Sequence, residues 1–341
     1  SNSLMIWLTH HTLARRLLSI SLIFLFAVIL LALAPLWLPL FWALGLILNA
    51  AHSSLRCLSF ICLFVLCEIA GILASGWLWL QHIVLATSQQ SYLSANSALQ
   101  FWWADTLRRS AEKLFRLHFV IEGEDALAGP AAIVLPRHTS IGDTILPVSF
   151  YAKAKQLRVS YVLKRELLLD PCLDIVGNRL ANVFLNRVAE DMGPELAELE
   201  TLAASATDQD SLVIYMEGTR FSDAKRQRVL KLLADKGDDE ALQRAESWPN
   251  LLPIRPAGAL ALMKGAPDKD LLFLAHSGFE GSANFANLFN GSWMNTTVHL
   301  RFWRIKAADI PATEHGRRIM LFSQWDLMQQ AVAEMLAAEC D

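Results

Sequence analysis

The first third of the chain is almost without charge. Residues 17–55 contain no Asp, Glu, Lys or Arg, and from 57 to 104 the one acid or base is Glu68. Helices built from such runs have no polar face to turn toward water, which excludes an ordinary soluble N-terminal region. Net charge is equally slight: 30 Lys and Arg against 33 Asp and Glu leave −3. That balance gives no footprint for nucleic acid or another strongly charged partner. Cysteine is sparse too. Cys57, Cys62, Cys67, Cys172 and Cys340 form no C-x-x-C pair and no zinc-ligand spacing, so neither a disulfide framework nor a metal centre is expected. No internal repeat or low-complexity tract appears beyond the apolar runs.

Hydrophobic residues make up 54% of the 341, and the charges begin in earnest at Asp105. The run 17–55 is long enough for two short membrane passes or one long tilted one, at about 20 residues per pass. Pro35 and Pro39 break its middle, which favours a helical hairpin. The part from 58 to 86 spans once or dips and returns at Gly71, Ser75 and Gly76; Glu68 within it is a functional-site candidate, the favoured alternative being a glutamate that faces protein or snorkels toward an interface. Arg15, Arg16, Arg56, Arg108, Arg109, Lys113 and Arg116 flank the runs and favour the cytoplasmic side. Residues 100–118 read as an amphipathic helix, lying at the interface or packing on a core.

Beyond it, strand-like runs alternate with helical ones, the pattern of an α/β domain. Strands are predicted at 119–122, 131–135, 158–163, 182–185, 212–216, 251–254, 271–275 and 297–304, and helices at 139–151, 193–206, 223–235 and 313–340. The domain plan is a membrane-embedded helical region of one or two hairpins over 1–98, an α/β domain over 99–312, and a C-terminal helix over 313–341. Lys225, Arg226, Arg228 and Lys231 fit a solvated helix face, with docking of an acidic carrier or anionic lipid as the alternative.

The chemistry is expected at Leu135-Pro136-Arg137-His138-Thr139-Ser140-Ile141-Gly142-Asp143. On a continuous helix His138 and Asp143 would point roughly 140° apart. With His138 on the turn and Asp143 in the first helical turn, the carboxylate meets one ring nitrogen and leaves the other as a base. The alternative is a capping box, Ser140-x-x-Asp143, beside a polar turn histidine.

Four segments in order resemble the PlsC-like glycerophosphate and lysophospholipid acyltransferases. They are His138-x-x-x-x-Asp143; Val183-Phe184-Leu185-Asn186-Arg187, with Lys164-Arg165-Glu166-Leu167 ahead of it; Tyr215-Met216-Glu217-Gly218-Thr219-Arg220-Phe221-Ser222; and Leu252-Pro253-Ile254-Arg255-Pro256-Ala257-Gly258. The resemblance implies a mixed central sheet flanked by helices behind a membrane anchor. It implies His138 as general base oriented by Asp143, and an acceptor site formed by Lys164, Arg187, Glu217, Gly218, Thr219 and Arg220, the arginines on phosphate and Glu217 holding the loop or its arginine. No cofactor is implied: acyl-CoA or acyl carrier protein serves as co-substrate, and a lysophospholipid in the membrane as acceptor, 1-acylglycerol-3-phosphate foremost. The expected location is the membrane, with a cytoplasmic catalytic domain if the source is bacterial. Other acceptors, or lipid binding without catalysis, are the alternatives. Three departures stand out. Arg137 replaces a usual asparagine, Asn186 a usual aspartate, and Arg255 adds a cation, which places the choice of acceptor in question.

Overall fold

Strand periodicity and the apolar helices together set the architecture, which a computed structural model describes for residues 7–47, 53–185, 192–282, 288–289 and 291–338. After a helical turn at residues 7–10 come α1 (Thr12–Ala32), α2 (Ala34–Ile47), α3 (Ser53–Val84) and α4 (Gln89–Phe115). Then follow β1 (His118–Glu122), β2 (Ile133–Pro136), β3 (Arg158–Lys164), β4 (Val183–Leu185), α5 (Gly193–Ser205) and β5 (Asp210–Ile214). After these come α6 (Asp223–Lys236), α7 (Asp239–Glu246), α8 (Ala257–Gly265), β6 (Leu271–Ser277), β7 (Thr297–Ile305) and α9 (Glu314–Ala338).

The strands form one mixed sheet in the order β1-β7-β6-β2-β5-β3-β4. β2 runs parallel to β5 and β6, β3 parallel to β5 and β4, and β1 parallel to β7, while β6 and β7 are antiparallel. Successive strand residues point to opposite faces, so the sheet feeds two cores. Val134, Val213, Leu272 and Leu274 enter one, with Cys57 and Phe60 of α3 and Phe101, Ala104 and Phe115 of α4. Ile133, Leu135, Leu212, Ile214, Leu271 and Phe273 enter the other, covered by Leu199 of α5, Leu262 of α8 and Trp325 and Met328 of α9. The fold is therefore mixed α/β with helices on both faces of a central sheet.

Several expectations meet the structure here. Residues 100–118 pack on a core: Phe101, Ala104, Leu107, Ala111 and Phe115 are buried at helical spacing. The boundary expected at 98/99 falls inside α4, which carries the apolar region directly onto the sheet. α9 lays Leu321, Trp325, Met328, Val332 and Met335 into the second core. Segment 251–254 forms no strand. Pro253 has no N–H to pair, the Leu252 N–H donates to Glu217 Oε2 at 3.0 Å, and the Leu252 carbonyl accepts from Trp325 Nε1 at 3.2 Å. The helix expected over 139–151 is instead a loop, a 3-10 turn (Asp143–Ile145) and a π-helical segment (Pro147–Ala152).

α1 and α3 are each long and apolar enough to cross a membrane. Between α1 and α2 only Leu33 intervenes, in right-handed helical conformation, so the break near Pro35 is a kink. α1 is clamped to the α/β part at its first turns. The buried Arg15 donates from Nε and Nη2 to Asp174 Oδ2 and Oδ1 at 3.0 and 2.9 Å, and Arg16 Nε donates to Oδ2 at 3.1 Å. Glu68 of α3 is buried and faces protein, accepting from Trp103 Nε1 of α4 at 2.9 Å. Cys57, Cys62, Cys67 and Cys172 are free thiols; Cys340 lies outside the described residues.

Candidate active site

Strands β2, β5, β3, β4 and β6 all run the same way, so the segments after their C-terminal ends converge on one edge, where α/β sheets place their sites. β2 delivers Arg137 and His138, β3 ends at Lys164, β5 leads into Tyr215 to Arg220, and β6 brings His276. Arg187, expected to hold phosphate, lies outside the described residues, as does Asn186.

His138 is held by backbone and ring alike. Its N–H donates to Glu217 Oε1 at 2.7 Å, and its carbonyl accepts from Phe221 N at 2.7 Å. The ring lies against Tyr215, centroids 4.3 Å apart, and Nδ1 is 2.9 Å from Asp143 Oδ1. The carboxylate only accepts, so Nδ1 carries the proton and Nε2 keeps its lone pair. Nε2 makes no hydrogen bond among the described residues.

Asp143 is fully buried. Its Oδ2 accepts from Thr139 N at 2.6 Å and Ser140 N at 2.9 Å, while Ser140 Oγ accepts from Gly142 N at 3.0 Å. Half of the capping box is thus present, with the carboxylate reaching back to the serine N–H. One carboxylate thus closes the loop and partners the histidine together. Burial alone would raise the Asp143 carboxyl, but the charges and hydrogen bonds of His138 and His276 outweigh it and hold the group well below the usual carboxylate range. Tyr161 Oη donates to the Thr144 carbonyl at 2.7 Å and Tyr215 Oη to the Asp143 carbonyl at 3.3 Å. These bonds tie the turn to β3 and to the end of β5. Gly142 passes so close to Trp293 that an added Cβ would stand 2.8 Å from its ring.

The third segment divides its labour. The Glu217 carboxylate is buried and taken up by the His138 and Leu252 N–H groups, so it fixes the loops instead of facing an acceptor. Burial pushes its carboxyl up to about 8, against the lowering effect of those N–H groups. Gly218 sits at φ 70°, a left-handed turn that suits glycine. Thr219 Oγ1 and the Arg220 carbonyl both accept from Lys225 Nζ, at 3.0 and 2.8 Å. Arg220 itself lines a cleft with His138.

Lys225 was expected on a solvated helix face. It follows the N-cap Ser222 by three residues, and side chains in a first turn lean back toward the preceding loop; that spacing was the available signal. Burial lowers its ammonium, as do the charges of Arg220, Lys164 and Arg228. Lys164 therefore joins a cationic patch at this edge, although it does not line the cleft. Arg137 belongs elsewhere. It is buried behind the loop, donating to the His276 carbonyl at 2.6 Å, Glu280 Oε1 at 2.6 Å and the Asn250 carbonyl at 2.9 Å. Arg255 is exposed, its N–H donating to the Met216 carbonyl at 2.8 Å.

The cleft encloses about 280 Å³. From His138 and Arg220 it runs between Leu163 and Val148 on the sheet side and Phe64, Leu99 and Trp103 of α3 and α4. A base–carboxylate pair, a cationic rim and apolar walls suit the transfer of an aliphatic acyl group. Residues 118–254 match the family model described as Acyltransferase. The chain is similar to the crystal structure of the 1-acyl-sn-glycerophosphate (LPA) acyltransferase, PlsC, from Thermotoga maritima, at 15% identity over 84% of this chain and 98% of that one, with a TM-score of 0.54. At that identity the likeness concerns the fold. No curated protein sequence matches the chain.

Proposed function

We propose that the protein transfers a fatty acyl chain from an acyl-CoA or acyl-carrier-protein thioester to the hydroxyl of a lysophospholipid, 1-acylglycerol-3-phosphate foremost, giving phosphatidic acid. His138 Nε2 takes the proton from the hydroxyl as its oxygen attacks the thioester carbonyl. The new C–O bond forms, the C–S bond breaks, and the leaving thiolate receives the proton from the imidazolium. Asp143 holds the ring and stabilises the imidazolium, and a base so placed contributes on the order of 10²–10⁴ in rate. The acceptor hydroxyl attacks directly, so no serine or cysteine nucleophile is needed.

The observation that carries this reading is the His138–Asp143 contact of 2.9 Å at the head of an apolar cleft that also holds Arg220. Arginine suits a phosphate because its fork matches the oxygens and stays charged. Arg220 binds the acceptor's phosphate in this scheme, with Arg187 and Lys164 assigned the same role from the family resemblance. The apolar cleft takes the acyl chain. Arg137, buried behind the loop, exerts its influence through the fold and not by touching the acceptor. α1 and α3 embed in the bilayer. The clamp of Arg15 and Arg16 on Asp174 keeps the N-terminal end of α1 on the side of the catalytic domain.

The test is thiol release by the purified full chain in detergent. Release should require both thioester and lyso-acceptor, and a panel of acceptors ranks 1-acylglycerol-3-phosphate against glycerol-3-phosphate and other lysophospholipids. Full activity in a folded His138→Ala variant would remove the base assignment.

A further inference from the structure

On the far side of Asp143 from His138 stands a second histidine that the scheme above does not use. His276 is the sixth residue of β6, which lies beside β2, and it is fully buried. Its Nε2 is 3.0 Å from the Arg137 carbonyl oxygen. A carbonyl only accepts, so Nε2 carries a proton. The same atom is 3.5 Å from Asp143 Oδ2. At the other end of the ring, Nδ1 is buried without a hydrogen-bond partner among the described residues, and the ring stands edge-on to Phe279. An aromatic hydrocarbon here would avoid the stranded Nδ1 but would leave the Arg137 carbonyl without this donor.

We propose that His276 is a positioning residue for acyl transfer that acts through Asp143: its Nε2–H steadies Oδ2 and draws charge from the carboxylate, setting how basic His138 is. The inference rests on the reading of His138 as base. Oδ1 faces His138, while Oδ2 faces Thr139 N, Ser140 N and His276. Each donor on Oδ2 leaves less charge to stabilise the imidazolium at Oδ1. Removal of the His276 donor makes His138 more basic, so a higher pH is needed to free it.

Other charged or titratable groups face this pair. Tyr161 and Tyr215 lie close enough to feel the Asp143 charge. Glu217 holds the His138 backbone, Arg137 and Glu280 lie behind His276, and Arg220 shares the cleft. Substitution at 276 leaves all of these in the chain; it takes the donor from the Arg137 carbonyl as well as from Oδ2, and the comparison of Phe with Gln at 276 therefore carries the test.

His276→Phe keeps the ring and removes the donor; His276→Gln keeps an N–H donor on a flexible chain. The readout is carbethoxylation of His138 by diethylpyrocarbonate across pH, followed by peptide mass spectrometry on the full chain in detergent. Only the unprotonated ring reacts, so the midpoint reports its titration whether or not acyl transfer occurs. The midpoint should rise by roughly one unit in His276→Phe and return toward wild type in His276→Gln, with the acid limb of kcat/KM moving in parallel. An unchanged midpoint in His276→Phe, or equal shifts in both variants, overturns the proposal. A midpoint that moves while the rate profile stays fixed refutes His138 as base and leaves the coupling standing. If His276→Phe does not fold, His276→Met makes the same comparison.

Discussion

Replacing Asp143 by asparagine should silence the enzyme without unfolding it. The carboxylate serves two sides at once: Oδ1 accepts from His138, and Oδ2 accepts from the N–H groups of Thr139 and Ser140. Asparagine has one oxygen, so its NH₂ must face one side. Turned toward the backbone, it leaves two buried N–H groups unpaired, at about 1–3 kcal/mol each. Turned toward His138, it asks only that the ring move its proton from Nδ1 to Nε2. The second arrangement wins by several kcal/mol on the same scale. Nε2 then presents a proton to the acceptor hydroxyl where a lone pair is needed. Transfer should fall by about 10²–10⁴, while Tm and the acceptor KM change little. The assay is thiol release at saturating thioester, with tryptophan fluorescence following unfolding. An Asp143→Asn variant that keeps a tenth of the wild-type rate with an unchanged Tm would refute the reasoning.

Three further outcomes follow from the same geometry. Burial raises the Glu217 carboxyl from 4.5 to about 8, so the folded state binds its proton more tightly than the unfolded chain. Its stabilising contribution is complete below pH 4.5 and lost as pH rises through 8. Glu217→Gln should flatten the decline of Tm between those limits, and parallel Tm profiles would count against it. Arg220→Ala should raise KM for phosphorylated acceptors by roughly 10–150-fold, the equivalent of a 1.5–3 kcal/mol charged hydrogen bond. An equal effect on an uncharged acceptor would tell against phosphate binding. Arg15→Ala should destabilise the detergent-solubilised chain by about 3 kcal/mol, because Asp174 stays buried with only part of its pairing. Arg16 still reaches that carboxylate and keeps the loss from being larger.

Much of this was legible in the sequence because it depends on periodicity and local spacing. Short unbroken apolar runs at 131–135 and 271–275 mark strands buried on both faces, and the uncharged runs mark α1 and α3. His138 and Asp143 meet because five residues of loop and 3-10 turn bring them together, and a regular helix would have kept them apart. What was hidden depends on pairing across the sheet. Nothing near His276 in the sequence points to Asp143, 133 positions away, except a polar residue at the end of an apolar strand. Glu217 reads as a site residue that holds the loop or its arginine, and the structure supplies the partners, the N–H groups of His138 and Leu252. Segment 251–254 looks like a strand, but its central backbone groups are claimed by Glu217 and Trp325. Arg137 departs from the family pattern beside the base, yet its side chain points behind the loop, which residue order alone does not disclose.

The most direct measurement of the central claim is a product identification. The chain in detergent is given one acyl thioester and a mixed pool of glycerol-3-phosphate, 1-acylglycerol-3-phosphate and other lysophospholipids, and the lipids are read by mass spectrometry. Phosphatidic acid should accumulate ahead of other products with the wild type and fall to background with folded His138→Ala. No acylated product from any acceptor, or equal product from the two proteins, would contradict the account.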